Sequence, residues 1–552
     1  PALTARITPR DSSKTMILQY LLYLSNYKLI LKKEVFMQYK MDFRRRSEEE
    51  YIKDNGMFID YDEIARKGKM SKEEALISKW YGVYQSRQAG DHMARIVVPG
   101  GKVNTAQARV VAEASRKYSY GLISITTRQA LQLHFLQLGI LPNFMRELAT
   151  VGLTTFHGCG DVTRPIAACP LAEACKYKRF NVLPYAQEAM REINKMRDLD
   201  NLPRKYKISF SGCSANCAQP YMQCNGIIAV TKNENGVQKD GFKFVIGGGM
   251  GWKAYVAKDL FSFVPKENYL DVIRAIALLY REHGDRFNRT TSRLKVVVDA
   301  YGIDKCREIV LDFLKQEGKS VEGLEWESVD YIGTDVPKRP LIEEDPVGTD
   351  GLVTVRAIIP KGEIHADNLD ALAEIAEKYG NQNLYTDNRQ NLSIHGVEPK
   401  NIEKVKNAIH ELGFRTEGFF GIRDIVSCVG TTHCPKAVSG TRNLFDALLK
   451  ITQESKYDLI QKQGFINITG CPNSCSPYRI ADIGFRGMRI RAEEEGAVEG
   501  YEMLIGGNEE AHGKKVGDFK SEDIPNIVRD LLDLFLAENL NKETIREFID
   551  RK

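Results

Sequence analysis

The chain has 552 residues, of which 43% are hydrophobic and 27% are charged, and its formal net charge is +5. It is too long for one hydrophobic core and has the composition of an ordinary globular protein, so two to four domains are predicted. The small net charge, with no basic stripe interleaved with aromatic residues, argues against a nucleic-acid-binding protein. Eleven cysteines without a recognisable secretory signal predict a reducing, cytoplasmic compartment in which thiols serve as ligands.

The first 74 residues are predicted to form an N-terminal arm that wraps the core. Their apolar stretch, Met16 to Leu31, is too short and too often interrupted by polar residues to span a membrane, so a packed or amphipathic segment is expected. The charged runs that follow, Arg44 to Arg46 and Glu48 to Glu50, are typical of a solvated helical face. Nothing in this arm indicates catalysis.

Two blocks with different periodicities follow the arm. Residues 75–150 predict a small α+β unit, because helical spacing from Thr105 to Tyr118 is followed by strand-like alternation from Leu122 to Phe135. Residues 151–322 predict a larger α/β unit, which contains a helix near Tyr185 to Arg197 and several β-branched runs.

Polar residues stand at unusual places in these predicted strands. Arg128, Gln132 and His134 occupy alternate positions of the first unit's strand, so they would share one face, which suits solvent and a ligand equally well. In the larger unit, Lys205 and Lys207 lie two apart on a predicted strand, and their ammonium groups should point the same way. Such a pair costs energy unless an anion lies between the two charges or water solvates both.

The second part of the chain repeats the spacing of the first. Four pairs of positions recur in the same order, with gaps that differ by at most one residue: Arg95 and Arg128 against Arg356 and Arg389, Arg164 and Cys169 against Arg423 and Cys428, Cys169 and Cys213 against Cys428 and Cys471, and Cys217 and Ile246 against Cys475 and Ile505. This repeat indicates an internal duplication, with two similar halves about a pseudo-two-fold axis. The proline-bearing segment 323–348 is predicted to be the linker, followed by a second small unit at 349–415 and a second large unit at 416–552.

Four cysteines of the second half lie on two short loops, with Cys428 and Cys434 in a C-x5-C pattern and Cys471 and Cys475 in a C-x3-C pattern. Zinc sites favour C-x2-C or C-x4-C spacing, and disulfides need an oxidising compartment. Cysteine-only ligation with Gly and Pro beside the ligands suits a [4Fe–4S] cluster. The spacing therefore favours a cluster, with structural zinc and unliganded core cysteines as the alternatives.

The run Ile468-Thr-Gly-Cys471-Pro-Asn-Ser-Cys475, together with the preceding C-x5-C, resembles the signature of the siroheme- and [4Fe–4S]-dependent sulfite and nitrite reductases. The run from Thr126 to His134 is similar to that family's siroheme-contacting strand. The resemblance extends from about Trp80 to the C-terminus. It implies an internally duplicated α+β fold, in which each half has a small ferredoxin-like unit and a larger cofactor-binding unit. It also implies a siroheme whose iron is bridged to the cluster by Cys475.

The resemblance further implies which residues hold the substrate and the siroheme. The basic residues that surround the substrate in sulfite reductases match, by position, Arg95, Arg164, Lys205 and Lys207. Siroheme carries many carboxylates, which need cationic and amide partners in a partly buried cleft. The candidates for this role are Arg128, Gln132, Arg289, Arg293, Lys295, Asn473 and Cys475. Some relatives also join a tyrosine and a cysteine by a thioether near the siroheme, at the positions of Tyr84 and Cys159.

The first half keeps its own set of four cysteines with the same spacing, as in the paired subunits of dissimilatory sulfite reductases: Cys169, Cys175, Cys213 and Cys217. Four thiolates kept together predict a second [4Fe–4S] cluster, beside a second pocket that could also hold a second tetrapyrrole. Counting back from Cys471 places Gln463 and Phe465 where Lys205 and Lys207 stand in the first half. The second pocket should therefore lack half of the anion-binding charge, and catalysis is expected only beside Cys475.

The predicted function is the six-electron reduction of sulfite to sulfide, with reduction of nitrite to ammonia at the same site as the alternative. Lys207 favours sulfite, because the family's ferredoxin-dependent nitrite reductases tend to carry asparagine there and a second lysine suits a dianion. No Rossmann or flavin module is recognisable, so electrons are expected from ferredoxin or another protein. A non-catalytic Fe–S electron carrier or scaffold is the alternative from another class.

Overall fold

The computed structural model describes residues 46–56, 58–251, 253–337, 343–492, 496–540 and 543–552. Most of the predicted N-terminal arm, including the apolar stretch from Met16 to Leu31, lies outside the described residues. The described chain divides into two compact units, one ending at Phe419 and the other running from Phe420 to Lys552. Within the described residues, no helix is both long enough and apolar enough to cross a membrane.

Over its described residues, the first unit combines helices with three sheets. Its helices are α1 (Glu48–Asp54), α2 (Tyr61–Lys67), α3 (Lys72–Ile77), α4 (Thr105–Tyr118), α5 (Leu141–Ala149), α6 (Leu183–Ile193), α7 (Tyr269–His283), α8 (Leu294–Tyr301), α9 (Ile303–Gln316), α10 (Ala366–Tyr379) and α11 (Ile402–Glu411). Its strands are β1 (Val83–Gln85), β2 (His92–Ile96), β3 (Lys102–Asn104), β4 (Leu122–Ile125), β5 (Leu131–Leu136), β6 (Ala167–Ala168), β7 (Ile208–Ser211), β8 (Asn225–Glu234), β9 (Val237–Ile246), β10 (Lys258–Pro265), β11 (Val353–Ala357), β12 (Glu363–His365), β13 (Asn383–Thr386) and β14 (Leu392–Val397).

Two of these sheets exchange a strand. The sheet of β1, β2, β5 and β4 is completed by β12 from the repeat, and the sheet of β11, β14 and β13 is completed by β3. Helices α4 and α10 pack against each other, with Arg116 on α4 ion-paired to Asp367 and Asp370 on α10. The apolar faces of both small units share one hydrophobic core. The exchange is reciprocal, as an internal duplication of the small unit predicts.

The stretch from Leu122 to Phe135 is a hairpin, so the predicted single strand was wrong. The Thr126 hydroxyl oxygen accepts hydrogen bonds from the backbone N–H groups of Arg128 (3.3 Å) and Ala130 (3.1 Å), which closes a tight turn between β4 and β5. Gln129 takes a positive φ of 61° in this turn. Arg128 therefore lies at the tip of the hairpin. The turn escaped prediction because it contains neither Gly nor Pro.

The larger sheet of the first half has a mixed topology. β6 and β7 are parallel, as are β7 and β8, and β8, β9 and β10 form an antiparallel meander. β7 begins only at Ile208, so Lys205 and Lys207 do not lie on a regular strand as predicted. They flank Tyr206, which makes a single parallel bridge with Thr163. The extended backbone still places the two lysines on the same side.

The second unit has the same sheet topology. Its strands β15 (Val426–Ser427), β16 (Ile466–Thr469), β17 (Ile483–Ala492), β18 (Gly496–Ile505) and β19 (Lys514–Lys520) make two parallel and then two antiparallel pairings. Its helices are α12 (Gly430–His433), α13 (Thr441–Thr452), α14 (Ile524–Glu538) and α15 (Ile545–Arg551). The matching order of pairings confirms the internally duplicated α+β fold.

Helix α1 is only in part the solvated face that its charges predicted, because Glu48 is exposed but Glu50 is not. Glu50 and Lys53 are 1% and 2% exposed. Lys53 forms an ion pair with Glu50 and lies 3.6 Å from Asp161, and Arg286 donates a 2.7 Å hydrogen bond to Glu50. These opposite charges offset the cost of burying one another. Asp161 and Arg286 lie more than 100 residues away along the chain, so the local charge pattern could not reveal the burial.

Candidate functional site

Arginines of the first unit are held by neutral oxygen atoms. Arg95 on β2 donates from Nε (3.0 Å) and Nη2 (2.7 Å) to Oε1 of Gln132, which stands opposite it on β5. Its Nη1 donates to the carbonyl of Gly158 at 3.0 Å. Arg164 is 8% exposed and donates from Nε to the carbonyl of Gly160 at 2.8 Å. Neutral acceptors orient these guanidinium groups without cancelling their charge.

Arg128 adds a third guanidinium to those of Arg95 and Arg164, and we call this group of cations the basic cluster. Its Nη2 donates to two backbone carbonyls, at 2.6 and 2.9 Å, and its Nη1 donates to Oε1 of Gln223 at 2.9 Å. Its Nε is buried without a hydrogen-bond partner. Burial, together with the charges of Arg164, Arg95 and Arg293, lowers the pKa of Arg128 to about 9. Such a group is costly to bury unless an anion lies nearby.

Lys205 and Lys207 extend the basic cluster. The bridge between Thr163 and Tyr206 is parallel, and the backbone N–H of Arg164 donates to the carbonyl of Tyr206 at 2.8 Å. In this register Arg164 stands opposite Lys207, so their side chains share a face. Both lysines are half-buried. The structure therefore places these three predicted substrate-binding residues on neighbouring extended segments.

This basic cluster fits a multiply charged anion. In the part of the chain that the structure describes, no carboxylate pairs with any of its four arginines, whose contacts are to carbonyl and amide oxygens and to one thiol: Arg95, Arg128, Arg164 and Arg293. Guanidinium groups that form no ion pair with a carboxylate at a half-buried site are a physical reason to expect a polycarboxylate or a small dianion there.

Three other predicted cofactor-binding residues have different surroundings. Arg289 makes a bidentate ion pair with Asp161, at 2.8 and 3.0 Å, and lies 3.0 Å from Glu49, so carboxylates balance its charge. Lys295 is 5% exposed and donates to a backbone carbonyl. Asn473, in the second unit, is exposed on the loop that carries Cys475. Their roles toward siroheme stay predictions.

The four cysteines of the second unit converge. Burial and the charge of Cys475 raise the pKa of Cys428 to about 11, and burial, Cys475 and Cys434 raise the pKa of Cys471. The backbone N–H of Gly470 donates to the sulfur of Cys428 at 3.2 Å. Amide hydrogen bonds to cysteine sulfur are a usual feature of Fe–S sites. Cys475 is exposed, whereas Cys471 is buried.

The four cysteines of the first half also converge, on the loops that follow β6 and β7. The side chains of Cys169 and Cys217 are within hydrogen-bond distance, and both Cys175 and Cys213 act electrostatically on Cys217. Burial, with the charge of Cys169, raises the pKa of Cys175 to about 11 and that of Cys213 to about 12. Buried thiols of this kind ionise readily only when a metal replaces the proton.

Neither cysteine set is arranged as a site for a single metal ion. Over the described ranges, no three His, Cys, Asp or Glu side chains are arranged to hold one metal ion. In a [4Fe–4S] cluster each thiolate binds its own iron, so the sulfurs surround a volume. Four cysteines in each set are the ligand number and ligand type that such a cluster uses.

In the second half, one of the corresponding basic residues is paired with a carboxylate, and an aromatic ring stands at the position of another. Arg423, which corresponds to Arg164, is ion-paired with Asp458 at 2.5 Å. Phe465, which stands where the first half has Lys207, is 4% exposed and packs on Phe420 with ring centroids 4.9 Å apart. The second half of the chain therefore lacks the charge arrangement of the basic cluster.

Arg356 corresponds to Arg95 but has a different neighbourhood. Ser393 stands opposite it on β14, where Gln132 stands opposite Arg95 on β5. Its guanidinium lies 4.1 Å from the ring centroid of Phe419. An aromatic face can stabilise this charge without an anionic ligand.

Tyr84 and Cys159 lie close enough to interact. Tyr84 on β1 is half-buried, and its pKa is raised by burial and by Cys159. Cys159 is fully buried, with its sulfur 3.7 Å from the carbonyl of Gly82.

We expect a thioether between Tyr84 and Cys159, formed with loss of two hydrogens to an oxidant such as dioxygen. A peptide map should show one cross-linked peptide that is absent in Tyr84→Phe, and two separate unmodified peptides in the native protein would contradict the linkage.

Sequence reasoning missed three residues that contact the site. Asp161 binds Arg289, Gln223 binds Arg128, and Cys224 accepts a hydrogen bond from Arg293. None has a motif of its own. Asp161 lies two residues after Cys159, and the other two precede β8, so only the fold brings them to these arginines.

Family models match most of the chain. The nitrite and sulphite reductase 4Fe–4S domain matches residues 159–317 and 420–552. The nitrite/sulfite reductase ferredoxin-like half domain matches residues 84–151 and 346–412. Each model therefore matches twice, once in each half of the repeat.

Individual relatives carry names of both activities. An assimilatory ferredoxin-dependent nitrite reductase of Haloferax mediterranei is 28% identical over 86% of this chain and 84% of its own length. A chloroplastic ferredoxin–nitrite reductase of Arabidopsis thaliana is 30% identical, over 80% and 75%. A ferredoxin sulfite reductase of Mycobacterium tuberculosis is 25% identical, over 93% and 92%.

A solved structure of the NirA protein of Mycobacterium tuberculosis shares the fold, with a TM-score of 0.81 and 23% identity over 92% of this chain and 97% of that one. The fold, the two cysteine sets and the duplicated family domains agree with one another. Siroheme and a [4Fe–4S] cluster are the cofactors that this agreement supports. The chain belongs to the nitrite and sulphite reductase family, whose members reduce sulfite or nitrite.

Proposed function

We propose that this chain reduces sulfite to sulfide in a six-electron reaction. The observation that carries the choice of sulfite is the pair Lys205 and Lys207, which stands beside Arg164. A dianion gains more than a monoanion from each added cation, because the attraction grows with the product of the charges. Reduction of nitrite at the same site is the second candidate, supported by the relatives named as nitrite reductases.

The protein's own contribution is to hold the anion and polarise its bonds to oxygen. Each of four cations can make a charge-assisted hydrogen bond to a departing oxygen: Arg95, Arg164, Lys205 and Lys207. The neutral partners of Arg95 and Arg164 keep those charges available. The ammonium groups can also donate the protons with which each oxygen leaves as water.

The cofactors supply the redox chemistry: siroheme coupled to a [4Fe–4S] cluster would provide a metal that binds sulfur and a relay for electrons. We assign the cluster to Cys428, Cys434, Cys471 and Cys475, of which the exposed Cys475 would couple it to the siroheme. We assign the siroheme carboxylates to Arg128, Gln132, Arg289, Arg293, Lys295 and Asn473. Of these, Arg128 and Arg293 have the stronger support, because no carboxylate of the described chain forms an ion pair with them.

We also propose a second [4Fe–4S] cluster, held by Cys169, Cys175, Cys213 and Cys217. Its support is the convergence of these four buried or half-buried sulfurs. By the predicted pseudo-two-fold, the basic positions of the second pocket come from the second half of the chain. There Phe465 and the pairing of Arg423 with Asp458 leave a site that is unsuited to binding a dianion. The second cluster would therefore serve electron storage or stability. Electrons would come from ferredoxin, as the names of the relatives suggest, or from another protein.

Specificity constants for the two anions test the proposed substrate. With a common artificial electron donor, kcat/KM should favour sulfite over nitrite by about 10-fold, and Lys207→Asn should reverse or abolish that preference. Lys319→Asn, at an exposed lysine paired with Asp271, is the control and should change neither constant.

A preference of the native enzyme for nitrite would replace sulfite reduction by the second candidate. The visible spectrum separates both reductases from an Fe–S carrier or scaffold. Siroheme gives a Soret band and a red band, which an Fe–S cluster alone lacks. A purified, cluster-containing protein without those bands and without turnover of either anion would be the non-catalytic alternative.

A further inference from the structure

Cys224 is a buried cysteine that belongs to neither cysteine set. It immediately precedes β8 and is 1% exposed. Nη2 of Arg293 donates to its sulfur at 3.2 Å, and the backbone N–H of Lys207 also hydrogen-bonds it. Burial alone would raise the pKa of this thiol, but Arg293 and Lys207 outweigh burial and lower it. The sulfur also acts electrostatically on Arg128.

Another buried cysteine shows that burial by itself does not lower the pKa of a thiol in this protein. Cys306 on α9 is 0% exposed, yet burial raises its pKa to about 12, with only a small opposing effect of Lys258. Among the residues that the structure describes, no guanidinium donates a hydrogen bond to its sulfur. The two cysteines are equally buried and differ in the cations that face them, which makes Cys306 a matched control.

The second half of the repeat places a carboxylate at the position of Cys224. Cys224 and Asp482 each follow the last cysteine of their own set by seven residues. The carbonyl oxygen of Cys224 accepts from the backbone N–H of Gly247 at 3.0 Å, and that of Asp482 accepts from Gly506 at 2.9 Å. The two residues are therefore structural equivalents in the duplicated fold.

The side chains of these equivalents also accept the same backbone hydrogen bond. The N–H of Phe465 donates to Oδ2 of Asp482 at 3.0 Å, and the N–H of its counterpart, Lys207, donates to the sulfur of Cys224. Asp482 is 0% exposed, so a buried carboxyl group occupies this place in the second half. One half has a carboxyl group where the other has a sulfur that faces an arginine.

We propose that Cys224 is a positioning residue that acts as a thiolate, the first-half equivalent of the Asp482 carboxylate. Its negative charge fixes the guanidinium of Arg293 and offsets part of the charge of the basic cluster, which would otherwise repel itself. Its importance for cofactor binding rests on the proposed role of Arg293 toward siroheme. Its ionisation does not depend on that role.

Two replacements of Cys224 separate charge from packing. Serine keeps the approximate volume and loses the charge, whereas aspartate keeps the charge and changes the shape. We expect Cys224→Ser to lower the siroheme retained per chain, and kcat/KM with it, by about 10-fold, the size of effect expected when the acceptor of a charge-assisted hydrogen bond becomes neutral. Cys224→Asp should stay within about 3-fold of the native enzyme. Full function in the serine variant, with loss in the aspartate variant, would overturn the proposal.

Infrared spectroscopy of the S–H stretching region tests ionisation directly in the holoenzyme, whichever anion is the substrate. The difference spectrum between the native protein and Cys306→Ser should show the lost S–H band of a protonated thiol. The same difference for Cys224→Ser should show none, because a thiolate has no S–H bond. A lost band in Cys224→Ser would overturn the proposal even if sulfite reduction were established, and its absence would support the thiolate even if nitrite were the substrate.

Discussion

Replacing Lys205 by alanine should lower sulfite turnover by about 100- to 1,000-fold, the usual cost of removing one preorganised donor that stabilises developing charge. Lys205 is half-buried beside Lys207, so water cannot fully replace its ammonium group. The variant should keep its siroheme and iron, because no cofactor role is assigned to this residue. The measurement is kcat with an artificial donor, with the visible spectrum taken on the same sample.

Arg356→Ala is the matched control for that prediction. Arg356 corresponds to Arg95 in the repeat, but it faces Phe419 and a backbone carbonyl. Turnover should therefore stay within about 3-fold of the native value, although removing a buried arginine can lower the melting temperature. If Arg356→Ala abolished turnover and Lys205→Ala spared it, the two halves would have the opposite roles.

The second large effect concerns iron content. If both cysteine sets bind four-iron clusters, the purified protein should contain about eight non-haem irons per chain. Cys213→Ser should remove about four of them and leave much of the turnover. Cys471→Ser should remove the other four and abolish turnover, because the cluster coupled to the siroheme would be lost.

Cys306→Ser is the control for iron content, since Cys306 belongs to neither set and is buried on α9. Its iron content should equal that of the native protein. A native protein with about four non-haem irons, all of them lost in Cys471→Ser and none in Cys213→Ser, would refute the second cluster. The first-half cysteines would then be core thiols, as the raised pKa values of Cys175 and Cys213 permit.

Local signals predicted some elements closely. Helix α4 runs from Thr105 to Tyr118, the limits that periodicity predicted, because Asn104 and Gln107 form a capping box at its start. The hairpin at Thr126 was missed because its turn is closed by a threonine side chain. Lys205 and Lys207 were expected on a regular strand, and a single bridge at Tyr206 was enough to hold the extended backbone.

The composition of the site was easier to predict from sequence than its contacts. Motif spacing singled out Arg95, Arg128 and Arg164, and the structure shows how neutral oxygens hold them. The pairing of Arg289 with Asp161 could not be predicted, because the partners are 128 residues apart. Buried ion pairs use the same residue types as solvated surfaces, so charge patterns do not distinguish them.

The exchange of β3 and β12 constrains when the protein can fold during synthesis. Asn104 of β3 pairs with Asn383 of β13, a partner that the ribosome adds only after the whole first half has emerged. In the same way, the sheet that ends at β4 has an open edge until β12 has been made. Such open edges are prone to pair with other chains. A nascent first half should therefore need protection by chaperones, and protein made from a gene cut at the linker should recover its native sheets only when both fragments are produced together.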